Sequence, residues 1–209
     1  MKIGVFGGSF NPVHCGHLIL AEHAADAAGL DRVILVPAYE SPFKTGTGGE
    51  ISRHLLQMTR IAAEQNPRFE VSSMEIDKGV TSYTIDTMRA ISAEIGTGDR
   101  LSFIMGADSF ASLEKWRGAD ELLREYSFLV GCRPGCALEE TEKTAEQLRM
   151  RYNADIRIIL IPQVDISSTD LRNRVRQGKS IRYLTPDGVA KYIAEHHLYE
   201  DGRSETGHG

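Results

Sequence analysis

Short apolar runs alternate with amphipathic stretches along the 209-residue chain, which predicts an α/β fold. The expected architecture is a Rossmann-like, doubly wound parallel sheet with helices on both faces and a helical C-terminal part. Two further observations support it. The first apolar run, Lys2–Phe6, leads straight into a glycine turn and a helix start, Gly7-Gly8-Ser9-Phe10-Asn11-Pro12-Val13-His14-Cys15-Gly16-His17. Unusual polar residues gather in the segments that follow apolar runs, namely 7–17, 37–44, 106–116 and 162–172, which would all open onto one sheet edge.

The strands are expected at Lys2–Phe6, Arg32–Val36, Phe69–Ser72, Leu101–Met105, Ser127–Gly131 and Ile156–Leu160. Leu18, Ala21, Ala25 and Ala28 recur on one helical face that Gly29 closes, and Leu55, Met58 and Ala62 form another, stopped at Asn66-Pro67. Further helices are expected over Ser82–Ile95, Asp120–Tyr126, Thr141–Tyr152, Ser168–Gln177 and Pro186–His196. Thr45–Gly49 reads as a glycine-rich loop, and there is no internal repeat. The chain reads as one domain over 1–198, with a polar tail at 199–209 expected to fray.

Composition narrows the function. Hydrophobic content of 41% and charged content of 25% are ordinary for a soluble globular protein. The net charge of −5 argues against a nucleic-acid surface. No apolar run is long enough to span a membrane, and Met1 leads directly into a strand, leaving no signal peptide. Cys15, Cys132 and Cys136 form no zinc pattern and read as reduced thiols, so a cytoplasmic protein is expected. The Cys132–Cys136 loop reads as an ordinary turn. A homo-oligomer is compatible with the sequence but not specified by it.

Small residues at 7–9 let backbone amides approach a ligand, and the helix start behind them adds partial positive charge. His14 and His17, three apart, share a helix face and can address one anionic group; capping or burial would account equally for an isolated histidine. Two familiar phosphate loops are excluded. No G-x-x-x-x-G-K-[ST] string occurs, and the dehydrogenase fingerprint counted from Gly4 meets Phe6 and Ser9 where glycines are needed. The second apolar run ends in Pro37, with no acid there to hold a ribose. Ser167 followed three residues later by Asp170 is a capping-box pattern, which leaves Arg172 unexplained.

These motifs carry a resemblance. G-G-S-F-N-P-x-H-x-G-H, together with Ile166-Ser167-Ser168-Thr169-Asp170-Leu171-Arg172, resembles the two signatures of the nucleotidyltransferase superfamily with the HxGH motif. Ser82-Tyr83-Thr84-Ile85-Asp86-Thr87 and Gly106-Ala107-Asp108 with Trp116 resemble the pattern of bacterial nicotinate-mononucleotide adenylyltransferases. The matches run in the family's order from Lys2 to about Tyr192.

The resemblance implies an enzyme joining ATP to nicotinate mononucleotide, giving nicotinate adenine dinucleotide and pyrophosphate in NAD biosynthesis. ATP would lie on Gly7, Gly8, Ser9, Phe10, His14, His17, Gly106, Asp108, Ile166, Ser168, Thr169 and Arg172. Ser168, Thr169 and Arg172 would hold its β- and γ-phosphates, with Gly106 and Asp108 near the ribose and the metal-phosphate site. The mononucleotide would lie on Ser9, Lys44, Tyr83, Thr84, Trp116 and Arg117, its ring stacked on Trp116. His17 would serve the α-phosphate in the transition state and His14 the phosphates beside it, while Arg172 and Lys44 stabilise pyrophosphate. Lys44 reads equally as a solvated surface charge, and Phe43 stands where many relatives carry histidine, removing one phosphate donor. No dedicated metal site is visible, so Mg²⁺ is expected to arrive with ATP. The alternatives are another member of the superfamily, a pantetheine-phosphate adenylyltransferase or a cytidylyltransferase, and a non-catalytic nucleotide sensor.

Overall fold

The computed structural model describes residues 1–39, 50–96, 98–133 and 138–200. Its six strands are β1 (Lys2–Gly8), β2 (Arg32–Pro37), β3 (Phe69–Val71), β4 (Arg100–Gly106), β5 (Ser127–Cys132) and β6 (Asp155–Leu160). All pair in parallel, in the order β3-β2-β1-β4-β5-β6. Chain direction across the sheet therefore reverses between β1 and β4, and the crevice at their carboxyl ends is where such a sheet receives ligands.

Alternation along the strands divides the core. Ile3, Val5, Ile34, Val36, Phe103 and Phe128 face one layer, whereas Phe6, Val33, Leu35, Ile104 and Leu129 face the other. Helices α1 (Cys15–Ala28), α2 (Glu50–Ala63), α8 (Ser168–Arg176) and α9 (Asp187–Glu195) contribute to the second layer. Helices α4 (Thr84–Glu94), α6 (Ala119–Glu125) and α7 (Leu138–Tyr152) contribute to the first. Gly29 ends α1 at φ 62°, a left-handed conformation that glycine adopts without a Cβ penalty, as its place after the apolar face implied.

Two short helices, α3 (Met74–Lys78) and α5 (Ala107–Phe110), join these among the described residues; α3 was not legible from periodicity, because five residues cannot display a helical repeat. Leu198 and Tyr199 pack against the second layer. Cys132 is disulfide-bonded, which corrects its reading as a reduced thiol, while Cys15 is free. No helix among the described residues is long and apolar enough to cross a membrane.

Candidate active site

Two cavities open at the carboxyl edge of the sheet, of about 690 and 520 Å³, and they share Gly7, Gly8, Ser9 and Ser109. The larger is lined by His14, His17, Gly106, Asp108, Arg133 and the start of α8; the smaller by Glu75, Tyr83, Thr84, Trp116 and Arg117. The end of β1 and Ser9 just after it thus form the wall between them. One ligand on each side would meet its neighbour at Gly7–Ser9.

The histidines are built into the start of α1. His14 is its N-cap residue, and its backbone N–H donates to Nδ1 of His17 at 3.2 Å. Because that nitrogen accepts, the neutral imidazole carries its proton on Nε2. The two rings stack with centroids 3.6 Å apart, and Phe10 meets His17 edge-on at 5.0 Å. A Cβ at Gly16 would lie 3.1 Å from Nδ1 of His14, so glycine between the histidines leaves room for the stack. Capping and cleft lining, weighed as alternatives from sequence, coexist here.

Burial lowers the pKa of both rings. His14 falls to about 4, through burial first and then the charge of Arg133. His17 falls well below 6.5, through burial, then His14, then Arg133. Near pH 7 the pair is neutral, so it offers N–H donors rather than cations.

Helix α8 forms the opposite wall. The Ser167 side chain accepts the Asp170 N–H at 3.1 Å, the cap its spacing implied, and Ser167, Ser168 and Thr169 line the larger cavity at the helix start. Backbone N–H groups there, with the helix dipole, favour a phosphate. The Ser168 hydroxyl donates to the Pro12 carbonyl at 2.9 Å. Arg172 donates to the Asn11 carbonyl at 2.6 Å and to Thr169 Oγ1 at 3.1 Å. These bonds clamp α8 onto the turn after β1, which carries a cis Asn11-Pro12 bond. Thr185 adds a hydroxyl bond to the Val13 carbonyl at 2.8 Å.

Two expected site residues, Arg172 and Phe10, lie elsewhere than on a cavity wall. Arg172 lines neither cavity and sits behind the turn, bonded to it. Phe10 is fully buried and makes a T-shaped contact with His17. Ile166 lines the larger cavity while being largely buried in the core. Lys44, with Pro42, Phe43 and the loop to Gly49, lies outside the described residues, as do Cys136 and the tail from 201.

The smaller cavity gathers Tyr83, Thr84, Trp116 and Arg117, drawn from two separate stretches of sequence. Trp116 is half-buried, packs edge-on against Phe103 at 6.0 Å, and donates from Nε1 to Ser112 Oγ at 3.4 Å. The Arg117 guanidinium lies 4.6 Å from the Tyr83 ring centroid. Tyr83 caps α4, so that helix presents its first N–H groups at this cavity. Sequence reasoning missed Arg133 and Glu75 as lining residues. Arg133 follows β5 at the ligand-bearing edge, a position the fold rule flags although no motif does.

Residues 5–174 match the cytidylyltransferase-like family model. A protein of Roseiflexus sp. described as "probable nicotinate-nucleotide adenylyltransferase" is 45% identical over 94% of this chain and 97% of its own. One of Moorella thermoacetica with the same description is 40% identical over 99% and 96%. The chain belongs to the nicotinate-nucleotide adenylyltransferase family. In fold it is similar to Plasmodium falciparum nicotinic acid mononucleotide adenylyltransferase complexed with NaAD, at TM-score 0.76 and 18% identity over 95% of this chain and 97% of that one. The same Plasmodium enzyme complexed with APC superposes at TM-score 0.72 and 17% identity, over 95% and 96%.

Proposed function

We propose that this enzyme transfers the adenylyl group of ATP to nicotinate mononucleotide, forming nicotinate adenine dinucleotide and pyrophosphate. The observation that carries this reading is the pair of cavities meeting at Gly7–Ser9, one lined by a histidine pair and a helix start, the other by an aromatic face and cations. ATP takes the first and the mononucleotide the second, which brings the α-phosphate and the attacking phosphate together at Gly7–Ser9.

A phosphate monoester has its second pKa near ~6, so the nucleophile is already largely ionised at neutral pH and needs no general base. Its oxygen attacks the α-phosphorus, the new P–O bond forms as the α–β bridge breaks, and pyrophosphate leaves with the electron pair. What the protein contributes is alignment and charge stabilisation. His17 Nε2–H donates to the α-phosphate as charge shifts there. His14 and Arg133 face the adjoining phosphates, and the α8 start at Ser168 and Thr169 receives the leaving pyrophosphate. Arg172 acts through the clamp it makes on the turn at Asn11.

The carboxylates on the larger cavity are Asp108 and Asp165. No group of three metal-binding side chains occurs among the described residues. Isolated carboxylates suit a Mg²⁺ that keeps most of its waters and is carried in by triphosphate oxygens. When bound, it would neutralise charge on those oxygens.

The lining of the smaller cavity supports selection of the acid over the amide. Backbone N–H groups at the α4 start and the Arg117 guanidinium favour a carboxylate over a neutral carboxamide. The test is pyrophosphate release from ATP with nicotinate mononucleotide, nicotinamide mononucleotide and phosphopantetheine in parallel. Release with the first, at a kcat/KM at least about tenfold above the second, is expected. Release with phosphopantetheine alone, or with none of the three, would refute the assignment.

A further inference from the structure

Glu75 is the one acid among the described residues of the smaller cavity, and the mechanism above leaves it without a role. It stands on α3, is only 8% exposed, and accepts the Thr87 hydroxyl at 2.5 Å through Oε1. Among the described residues no second hydrogen bond reaches this carboxylate. Burial pushes its pKa up, while the Thr87 bond and the nearby Lys78 charge act the other way. A buried carboxylate with one neutral donor is costly unless something else offsets its charge.

The charges of the ligand supply that partner. Nicotinate mononucleotide carries a phosphate, a carboxylate and a quaternary pyridinium nitrogen. Its two anionic groups have Lys115, Arg117 and the α4 start in the same cavity. Its cation has the Trp116 face, which attracts positive charge through the ring quadrupole, and Glu75. Resting on the reading that nicotinate mononucleotide is the second substrate, we propose that Glu75 is the counter-charge for the pyridinium nitrogen and selects a cationic ring over a neutral one. The competing explanation is purely structural: the Glu75–Thr87 bond ties α3 to α4 and no more.

Reduction of the ring separates the two. The 1,4-dihydro mononucleotide keeps the carboxylate and the phosphate but has a neutral ring nitrogen. Titration calorimetry without ATP would compare both forms on the wild-type enzyme, Glu75→Gln and Thr87→Val. The wild type is expected to bind the oxidised form about tenfold more tightly, the effect of one opposite charge in a half-screened site. Glu75→Gln, which keeps an acceptor for Thr87, should lose most of that ratio; Thr87→Val, which keeps the charge, should retain it. Equal binding of the two forms by the wild type would overturn the proposal without any variant. So would an unchanged ratio in Glu75→Gln, or an equal loss in Thr87→Val. Failure of the wild type to bind the oxidised mononucleotide at all would instead remove the second substrate, and this proposal with it.

Discussion

The His14 backbone N–H donates to Nδ1 of His17, and this one bond places the His17 proton on Nε2. The T-shaped contact with Phe10 and the stack on His14 hold the ring in that orientation. A neutral donor fixed in this way makes its strongest interaction when charge accumulates on the α-phosphate, and less before.

His17→Ala should therefore lower kcat by about 10²–10³-fold while changing KM for either substrate much less. Steady-state kinetics with each substrate varied separately measures this. Unchanged turnover would remove the imidazole from the mechanism.

Acid should destabilise the protein through the same pair. In the unfolded chain a histidine titrates near ~6.5, whereas His14 is lowered to about 4 in the folded state by burial and Arg133. Between those values the unfolded chain binds more protons, so stability is full above ~6.5 and falls as pH drops through the window, by roughly 3 kcal/mol for His14 alone. His17 adds in the same direction. Urea unfolding at several pH values should give a flatter profile for His14→Gln than for the wild type. Parallel profiles would show that burial of this ring does not govern the acid limb.

Arg133 is the cation beside the histidines on the larger cavity. Replacing it with alanine should raise KM for ATP about tenfold and leave KM for the mononucleotide near its original value. Rescue of the ATP KM by Arg133→Lys, but not by Arg133→Gln, would identify charge as the cause. If alanine leaves both constants alone, Arg133 has no part in holding phosphate.

Trp116 lines the other cavity and makes a T-shaped contact with Phe103. Trp116→Ala should weaken nicotinate mononucleotide binding about tenfold and spare the KM for ATP. A loss of thermal stability with normal kinetics would return this residue to the core.

Much of this was legible because local chemistry and position coincide. All six strands fall where apolar runs stand between turn signals, and the Gly29 stop and the Ser167 cap act as their residue types imply. The direction of a side chain was less legible. Phe10 and Arg172 lie inside phosphate-loop motifs, yet one is core and the other grips the turn from behind, because a motif fixes adjacency and not which way a side chain points. Arg133 and Glu75 carry no motif at all; each becomes a site residue only when the parallel sheet or the α3–α4 contact brings it to a cavity wall.

Direct transfer between two bound nucleotides is best tested with ATP labelled at the α-phosphorus. With nicotinate mononucleotide present, label should appear in the dinucleotide in step with release of unlabelled pyrophosphate, and none should remain on the protein. Label accumulating in free AMP, or bound covalently to the enzyme, would contradict an in-line attack across Gly7–Ser9.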